Sequence, residues 1–392
     1  MRYGLLGILA LSGFVTSFGA HVVATNLPTY AETAGAGAFT IGLLIAVYDF
    51  AELFAKPAAG VVADRSGMKP VLLIGLVVFI LGSLLFLIIN PKLLLLVRFV
   101  QGLGAAALST VSISLVARYF ETGRGRAFGV YNAIKGSGYV VAPAVGGFLA
   151  NRYGFAMIFM VSAAIGLVAF VASLFLPIDR REQLEDDEEP SIRESLLIFR
   201  DPRLMPIYAV IVINMFLVGI LFGFLPVYVH GLGYSATQSG TLVSIATAAY
   251  LLIQPLAGAL ADRYAMRTTV LLGLLVAALS IIATTFASGW ALTAIVIAAG
   301  MGIGTVWTNS DALVSASASP SQLGASIGAA QSFKEFGDMV GPLLVGALTQ
   351  FFGVRAGFVS CGGIALVLVG LCARATAFRL AMPSTQSFPG DK

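Results

Sequence analysis

Charged side chains are what this 392-residue sequence has least of: Asp, Glu, Lys and Arg together supply 11% of it. A water-soluble domain carries about 25%. With 58% hydrophobic residues, that shortage excludes an aqueous fold, because so little polar surface could not clad so large an apolar interior. Cysteine is scarce too. Cys361 and Cys372 both fall in the last apolar run, which excludes a disulfide framework between outside loops and leaves two small buried hydrophobes as the expectation. Histidine occurs only as His21 and His230, each expected at the membrane interface. No metal or redox spacing, HExxH or nucleophile–base pair appears in the apolar runs, so an enzyme is not expected and no cofactor is implied. The net charge is +4, but the basic residues sit in loops between apolar runs and form no stripe, so nucleic acid is not an expected partner.

What is there is a succession of apolar runs about 20 residues long that do not alternate. That pattern selects membrane-spanning helices over a barrel. Twelve spans are expected, near 4–28, 39–63, 70–90, 92–118, 127–150, 154–177, 204–230, 237–262, 268–288, 290–316, 323–348 and 354–376. The first is too long for the apolar region of a signal peptide. Short loops make successive helices antiparallel neighbours. Residues 178–203 differ: Glu182, Glu185, Asp186, Asp187, Glu188 and Glu189 precede an amphipathic piece, as in a solvated linker. The expected organisation is a first bundle over 1–177, the linker, a second bundle over 204–378 and a tail over 379–392. With both termini inside, the inner face collects Arg65, Lys69, Arg118, Arg124, Arg126, Arg263 and Arg267. The outer face keeps only Lys92, Arg152 and Arg355. That asymmetry sets the orientation and fits a bacterial-type inner membrane.

The halves repeat at an offset of 198 or 199. LPTY at 27–30 returns as LPVY at 225–228, Pro57 as Pro255, Gly60 and Asp64 as Gly258 and Asp262, and Lys135 as Lys334. Duplicated six-helix units related by an axis along the membrane normal build transporters whose site lies between the halves. The fold class expected is therefore all-α integral membrane, twelve spans in two pseudo-symmetric six-helix bundles.

GVVADRSGMK at 60–69 resembles the loop 2–3 motif of the major facilitator superfamily, with Met68 where a basic residue is usual. RFVQGLGAA at 98–106 resembles its fourth-helix motif of proton-coupled members. GYVVAPAVGG at 138–147 resembles the fifth-helix motif of antiporters, with Ala142 where glycine is usual. Together they resemble the twelve-span drug:proton antiporters. The resemblance implies that Asp64 contacts the eleventh helix near its N-terminus, where the dipole favours a carboxylate. Gly60, Asp64, Arg65, Gly67 and Lys69, with Asp262 and Arg263, then form a conformational latch. Gly60 and Gly67 are expected to permit close approach and a tight turn. Gly138, Pro143, Gly146, Gly147, Gly341 and Pro342 are expected to make hinge helices, small residues allowing close packing and proline bending the chain.

Ionisable residues inside the spans carry the functional information, because charge at hydrocarbon depth is costly. Asp49, Glu52 and Lys56 share one helix face; Glu52 and Lys56 could simply pair. Arg98, Lys135, Asp311, Lys334, Glu335 and Asp338 also lie in spans, Asp311 near the inner end where it could anchor loop arginines. The acids Asp49 and Glu52 stand opposite Thr247 and Tyr250 in the repeat, and Arg98 opposite Val296. Scaffold repeats, but coupling groups need not, so Asp49, Glu52 and Arg98 are the expected proton-coupling set. A carboxylate shielded from water holds its proton more tightly. The resemblance places Lys135 and Lys334 on cavity-lining helices. Two lysines there suit a carboxylate or phosphate, and Glu335 and Asp338 an amine, with Tyr48, Lys56, Asn214, Tyr250 and Gln254 beside them. The function expected is a proton-coupled antiporter exporting a small amphipathic, zwitterionic or anionic molecule, in the manner of multidrug efflux. The alternative is a proton symporter or facilitator importing a solute. A non-transporting sensor would be expected to carry an added soluble domain. The default oligomeric state is a monomer in the bilayer.

Overall fold

The computed structural model describes residues 2–33, 35–88, 90, 93–120, 124–177, 201–264, 266–317 and 323–374. Those residues form thirteen helices and no strand. They are α1 Arg2–Ala24, α2 Leu27–Thr33, α3 Ala38–Ser66, α4 Met68–Leu85, α5 Leu94–Tyr119, α6 Arg124–Tyr153 and α7 Phe155–Leu174. After the linker come α8 Met205–Gly231, α9 Ala236–Tyr264, α10 Met266–Thr284, α11 Gly289–Ser317, α12 Leu323–Phe352 and α13 Val354–Arg374. The acidic run of the linker and the tail over 379–392 lie outside the described residues.

Eleven spans, α1 and α2 counting as one from Gly4 to Thr33, are long and apolar enough to cross a bilayer. The twelfth, α12, has 30 residues but carries Lys334, Glu335 and Asp338 in mid-helix. The first span continues past 28 to Thr33, with a break at Thr25 and Asn26, where the Asn26 side chain turns back to the Val22 carbonyl at 2.9 Å. His21 lies within that span, four residues before the break.

By proximity the helices fall into two units. The first gathers the described residues up to 177 with Phe222–Ser244, and the second gathers 201–221 and 245–374. In the first, α1 packs along α6 and α7, and α5 lies against α3 and α4. In the second, α10 packs on α11 and α13, and α12 on α13. The core of the first unit is apolar, built around Leu72, Leu76, Phe79, Ala105 and Leu108.

Glycine repeats mark the seams. A Cβ on Gly104 would fall 2.7 Å from the Phe79 amide nitrogen and 3.0 Å from the Gly75 carbonyl. A Cβ on Gly302 would fall 2.8 Å from the Ala277 nitrogen and 2.7 Å from the Gly273 carbonyl. The three positions in each unit correspond under the repeat. Both bundles thus join their third and fourth spans backbone to backbone, as small residues permit in lipid.

The α3–α4 turn is a single residue, Gly67, at φ +95°, a backbone conformation that suits glycine. Its amide donates to the Ala63 carbonyl at 2.9 Å and closes the helix end. Gly60 does not meet its expectation. Its nearest neighbour would be a Thr110 methyl at 3.9 Å, and its repeat partner Gly258 faces open space.

Candidate functional site

Half-way along α3, Tyr48, Asp49 and Glu52 are buried side by side. Arg98 of α5 lies among them, 2% exposed, its guanidinium carbon 4.1 Å from the Tyr48 ring centroid. All three α3 side chains are close enough to act on it electrostatically. Its Nη1 donates to Gln101 Oε1 at 2.7 Å, and Gln101 Nε2 donates to Ser83 Oγ at 3.3 Å. Ser83 Oγ lies 3.2 Å from Ser162 Oγ. A polar seam therefore runs from α3 through α5 and α4 to α7.

Glu52 also meets Lys56 at 2.5 Å, so the i, i+4 pair forms. The Lys56 side chain is 25% exposed and that of Glu52 9%. The pair reaches from the seam toward the surface of the unit.

His21 belongs to this neighbourhood. Its Nδ1 lies 3.0 Å from the Ser17 carbonyl, and its ring meets Tyr139 edge-on at 4.4 Å. The charges of Glu52, Arg98 and Lys135 all reach it. Sequence reasoning set His21 aside because its place in the chain does not show what α1 packs against. Lys135, half-buried on α6, sits where the Ser17 hydroxyl donates to its carbonyl at 2.6 Å.

In the second unit Lys334 is 3% exposed. Its ammonium donates to Asp311 Oδ1 at 2.7 Å and lies 4.2 Å from the centroid of the Trp307 ring. Tyr250 meets that ring edge-on at 5.6 Å. Asp311 does not serve loop arginines alone; it partners Lys334. Trp307 was missed, although its position four residues before Asp311 puts the two on one helix face. Asp338 packs elsewhere, its Oδ1 beside Gly219 of α8, and Glu335 is half-buried. Asn214 is buried and donates to the Ile303 carbonyl at 3.4 Å, while Gln254 is half-buried.

The residues of α6 expected to act as a hinge are engaged by α9 within the first unit. Pro143 lacks an amide hydrogen, and next to it the Ala144 N–H donates to Ser244 Oγ at 2.9 Å. Thr237 Oγ1 donates to the Gly147 carbonyl at 3.3 Å. A Cβ on Gly240 would overlap the Pro143 carbonyl, and one on Gly147 the Ala236 carbonyl. On the other side of α6, Gly138 and Gly146 lie against Ser17 and Asn26 of the first span. In the second unit Gly341 takes the same kind of seat against Phe216 of α8, and Pro342 packs on Gly219.

Lys69, expected in the latch, is tied down within its own unit. Its Nζ donates to the Leu174 carbonyl at 2.8 Å and the Leu176 carbonyl at 2.5 Å, at the C-terminal end of α7 where a cation is favoured. Arg267 repeats this, donating to the Ala373 carbonyl of α13 at 2.7 Å. Arg65 and Arg263 are exposed. The side chains of Asp64 and Asp262 lie outside the described residues.

The family profile of the Major Facilitator Superfamily matches residues 9–247 and 207–389. Among relatives, the Multidrug resistance protein MdtG of Citrobacter koseri is 27% identical over 375 residues, covering 92% of each chain. That of Salmonella typhi is 25% identical over 381 residues, again 92% of each. Among solved structures, a variant of the nucleoside transporter NupG superposes with a TM-score of 0.83 at 15% identity, covering 94% of this chain and 99% of that one. A bacterial homolog to the human lysosomal transporter Spinster, inward-facing and unoccupied, gives 0.80 at 16%, covering 98% and 99%. A D-xylose-proton symporter gives 0.76 at 16%, covering 98% of each. At such identities the likeness concerns the fold alone.

Proposed function

The chain belongs to the Major Facilitator Superfamily, and we propose that it is a proton-coupled antiporter that exports a small amphipathic, zwitterionic or anionic molecule by alternating access. It is a multi-pass membrane transporter, not an enzyme. The observation that carries the proposal is the buried group of Asp49, Glu52 and Arg98. Ionisable side chains inside a span are costly unless they serve a pathway, and this group has no charged counterpart at Thr247, Tyr250 and Val296 of the repeat.

The chemistry assigned to it is simple. Glu52, ionised, holds Lys56. A proton on Glu52 neutralises it, weakens the pair and releases the quarter-exposed Lys56 toward water. Arg98 is fixed by Gln101 and Tyr48, so its charge does not follow the proton and stays beside the acids in both states. The two effects set a group that can load and unload as access changes sides. The α6–α9 seam is the hinge, and the α3–α4 turn with Asp64 and Arg65 the latch. Export is favoured by the names of the relatives, which are multidrug resistance proteins, and by the GYVVAPAVGG stretch. The coupling ion is the proton, the protein acts as a monomer, and both termini face the cytoplasm of an inner membrane.

The test is a substrate screen on proteoliposomes with a trapped pH-sensitive dye. Antiport predicts that substrate and protons cross in opposite directions; co-directional movement would establish symport instead.

A further inference from the structure

The second unit holds an arrangement that the first lacks. Lys334 is capped by a carboxylate and an aromatic face that come from the same stretch of α11, Asp311 and Trp307 standing one turn apart. The side chain of Lys334 is 4% exposed, that of Asp311 46%. The asymmetry has a direction. A buried ammonium needs a negative partner at all times. A half-exposed carboxylate three residues from the end of its span has room to turn away from its partner. The repeat positions of Asp311, Trp307 and Tyr250 are Ile113, Ser109 and Glu52, so the first unit builds no such cage around Lys135, which is half-buried. The second unit's cage is therefore not something the shared architecture requires. Of the nearby acids, Asp338 is turned to Gly219 of α8 and Glu335 follows Lys334 directly in sequence. Asp311 is the one bonded to the ammonium at 2.7 Å.

We propose that Lys334, Trp307, Tyr250 and Asp311 form a binding subsite for an aromatic carboxylate or similar flat organic anion. The substrate's anionic group replaces Asp311 on the Lys334 ammonium, its flat apolar part lies beside the Trp307 and Tyr250 rings, and Asp311 turns out to water. Asp311 is thus a stand-in that keeps Lys334 paired while the site is empty. A cationic substrate is disfavoured, because it would have to displace Lys334, which has no exposed route away. The proposal rests on the reading of the chain as a transporter and names the chemical class of what it carries.

The test uses intrinsic fluorescence. The chain has two tryptophans, and Trp290 is 89% exposed, so W290F leaves Trp307 as the sole reporter in the full-length purified protein. The probes are 4-nitrobenzoate, 4-nitrobenzamide and 4-nitrobenzylammonium, which share a quenching ring and differ in charge. The expected result is saturable quenching by the carboxylate at a concentration about tenfold or more below that for the amide, as a charge-assisted bond requires. Lys334→Gln erases that preference and Lys334→Arg keeps it. Asp311→Asn keeps or sharpens it, because the internal competitor is gone. If Lys334→Gln does not fold, the double variant Asp311→Asn with Lys334→Gln removes both charges together and must likewise show no preference. Equal midpoints for carboxylate and amide, best binding by the ammonium probe, a preference that survives Lys334→Gln, or no saturable quenching by any probe each overturns the proposal. The two readings fail separately. A carboxylate preference without proton movement in vesicles leaves the subsite standing and removes the coupling. Proton-linked transport without the preference does the reverse.

Discussion

The Arg98 guanidinium sits 4.1 Å from the centre of the Tyr48 ring and donates from Nη1 to Gln101 Oε1 at 2.7 Å. The ring and the amide together hold a charge at full burial beside Asp49 and the Glu52–Lys56 pair. Arg98→Lys keeps the charge but loses the planar fork that makes both contacts. It is expected to lower stability by about 1–3 kcal/mol and to impair transport, whereas Tyr48→Leu costs about 0.5–2 kcal/mol. Thermal unfolding of the purified variants in detergent measures both. Unchanged midpoints in the two would mean that neither contact supports the seam.

Glycines of equal prominence in the sequence should differ sharply in tolerance. Gly104→Ala and Gly302→Ala force a methyl onto the backbone of the third span of each unit, an overpacking cost of about 1–3 kcal/mol. Gly60→Ala and Gly258→Ala meet open space or ordinary contact and should leave the unfolding midpoint unchanged. Comparable losses at all four sites would contradict the packing described here.

Lys69 and Arg267 are read as matched clamps on the ends of α7 and α13. Lys69→Met and Arg267→Met should each destabilise by about 1–3 kcal/mol, the range for a bond involving a charged group. Transport per folded molecule should largely survive. Full stability with abolished transport in Lys69→Met would return that residue to the latch.

The seam between α6 and α9 makes a different prediction. Ser244→Ala removes the Oγ acceptor of the Ala144 N–H, a loss of about 1–3 kcal/mol felt next to Pro143. Gly240→Val drives a side chain into the Pro143 carbonyl. Both should slow turnover more than they weaken substrate binding, and paired rate and binding measurements separate the two.

Much of this was legible in the residues. The span count, the repeat and the superfamily follow from hydrophobic length and from spaced glycine, proline and aspartate, which act locally. The Glu52–Lys56 pair was readable too, since i, i+4 spacing on a helix suffices. What could not be read was which side chains meet across helices. For Asp311 the sequence offers loop arginines as possible partners, because depth in the sequence does not say which neighbour a helix face meets, and α12 brings Lys334 to it. The nearness of His21 to Glu52, Arg98 and Lys135 is likewise a matter of how α1 packs on its neighbours, not of its place in the chain. Gly60 was credited with close approach because its motif resembles one, although its neighbour is 3.9 Å away. Lys69 was grouped with Asp64 by adjacency, while its reach across to α7 depends on the third and sixth spans ending together.

The central claim is that Asp49 and Glu52 tie substrate movement to a proton gradient. Comparing two modes of transport in one set of vesicles tests it most directly: exchange of labelled for unlabelled substrate at equal pH, and uphill accumulation driven by an imposed pH difference. The account predicts that Asp49→Asn and Glu52→Gln together keep exchange but lose accumulation. Accumulation at the wild-type level in that double variant would contradict it.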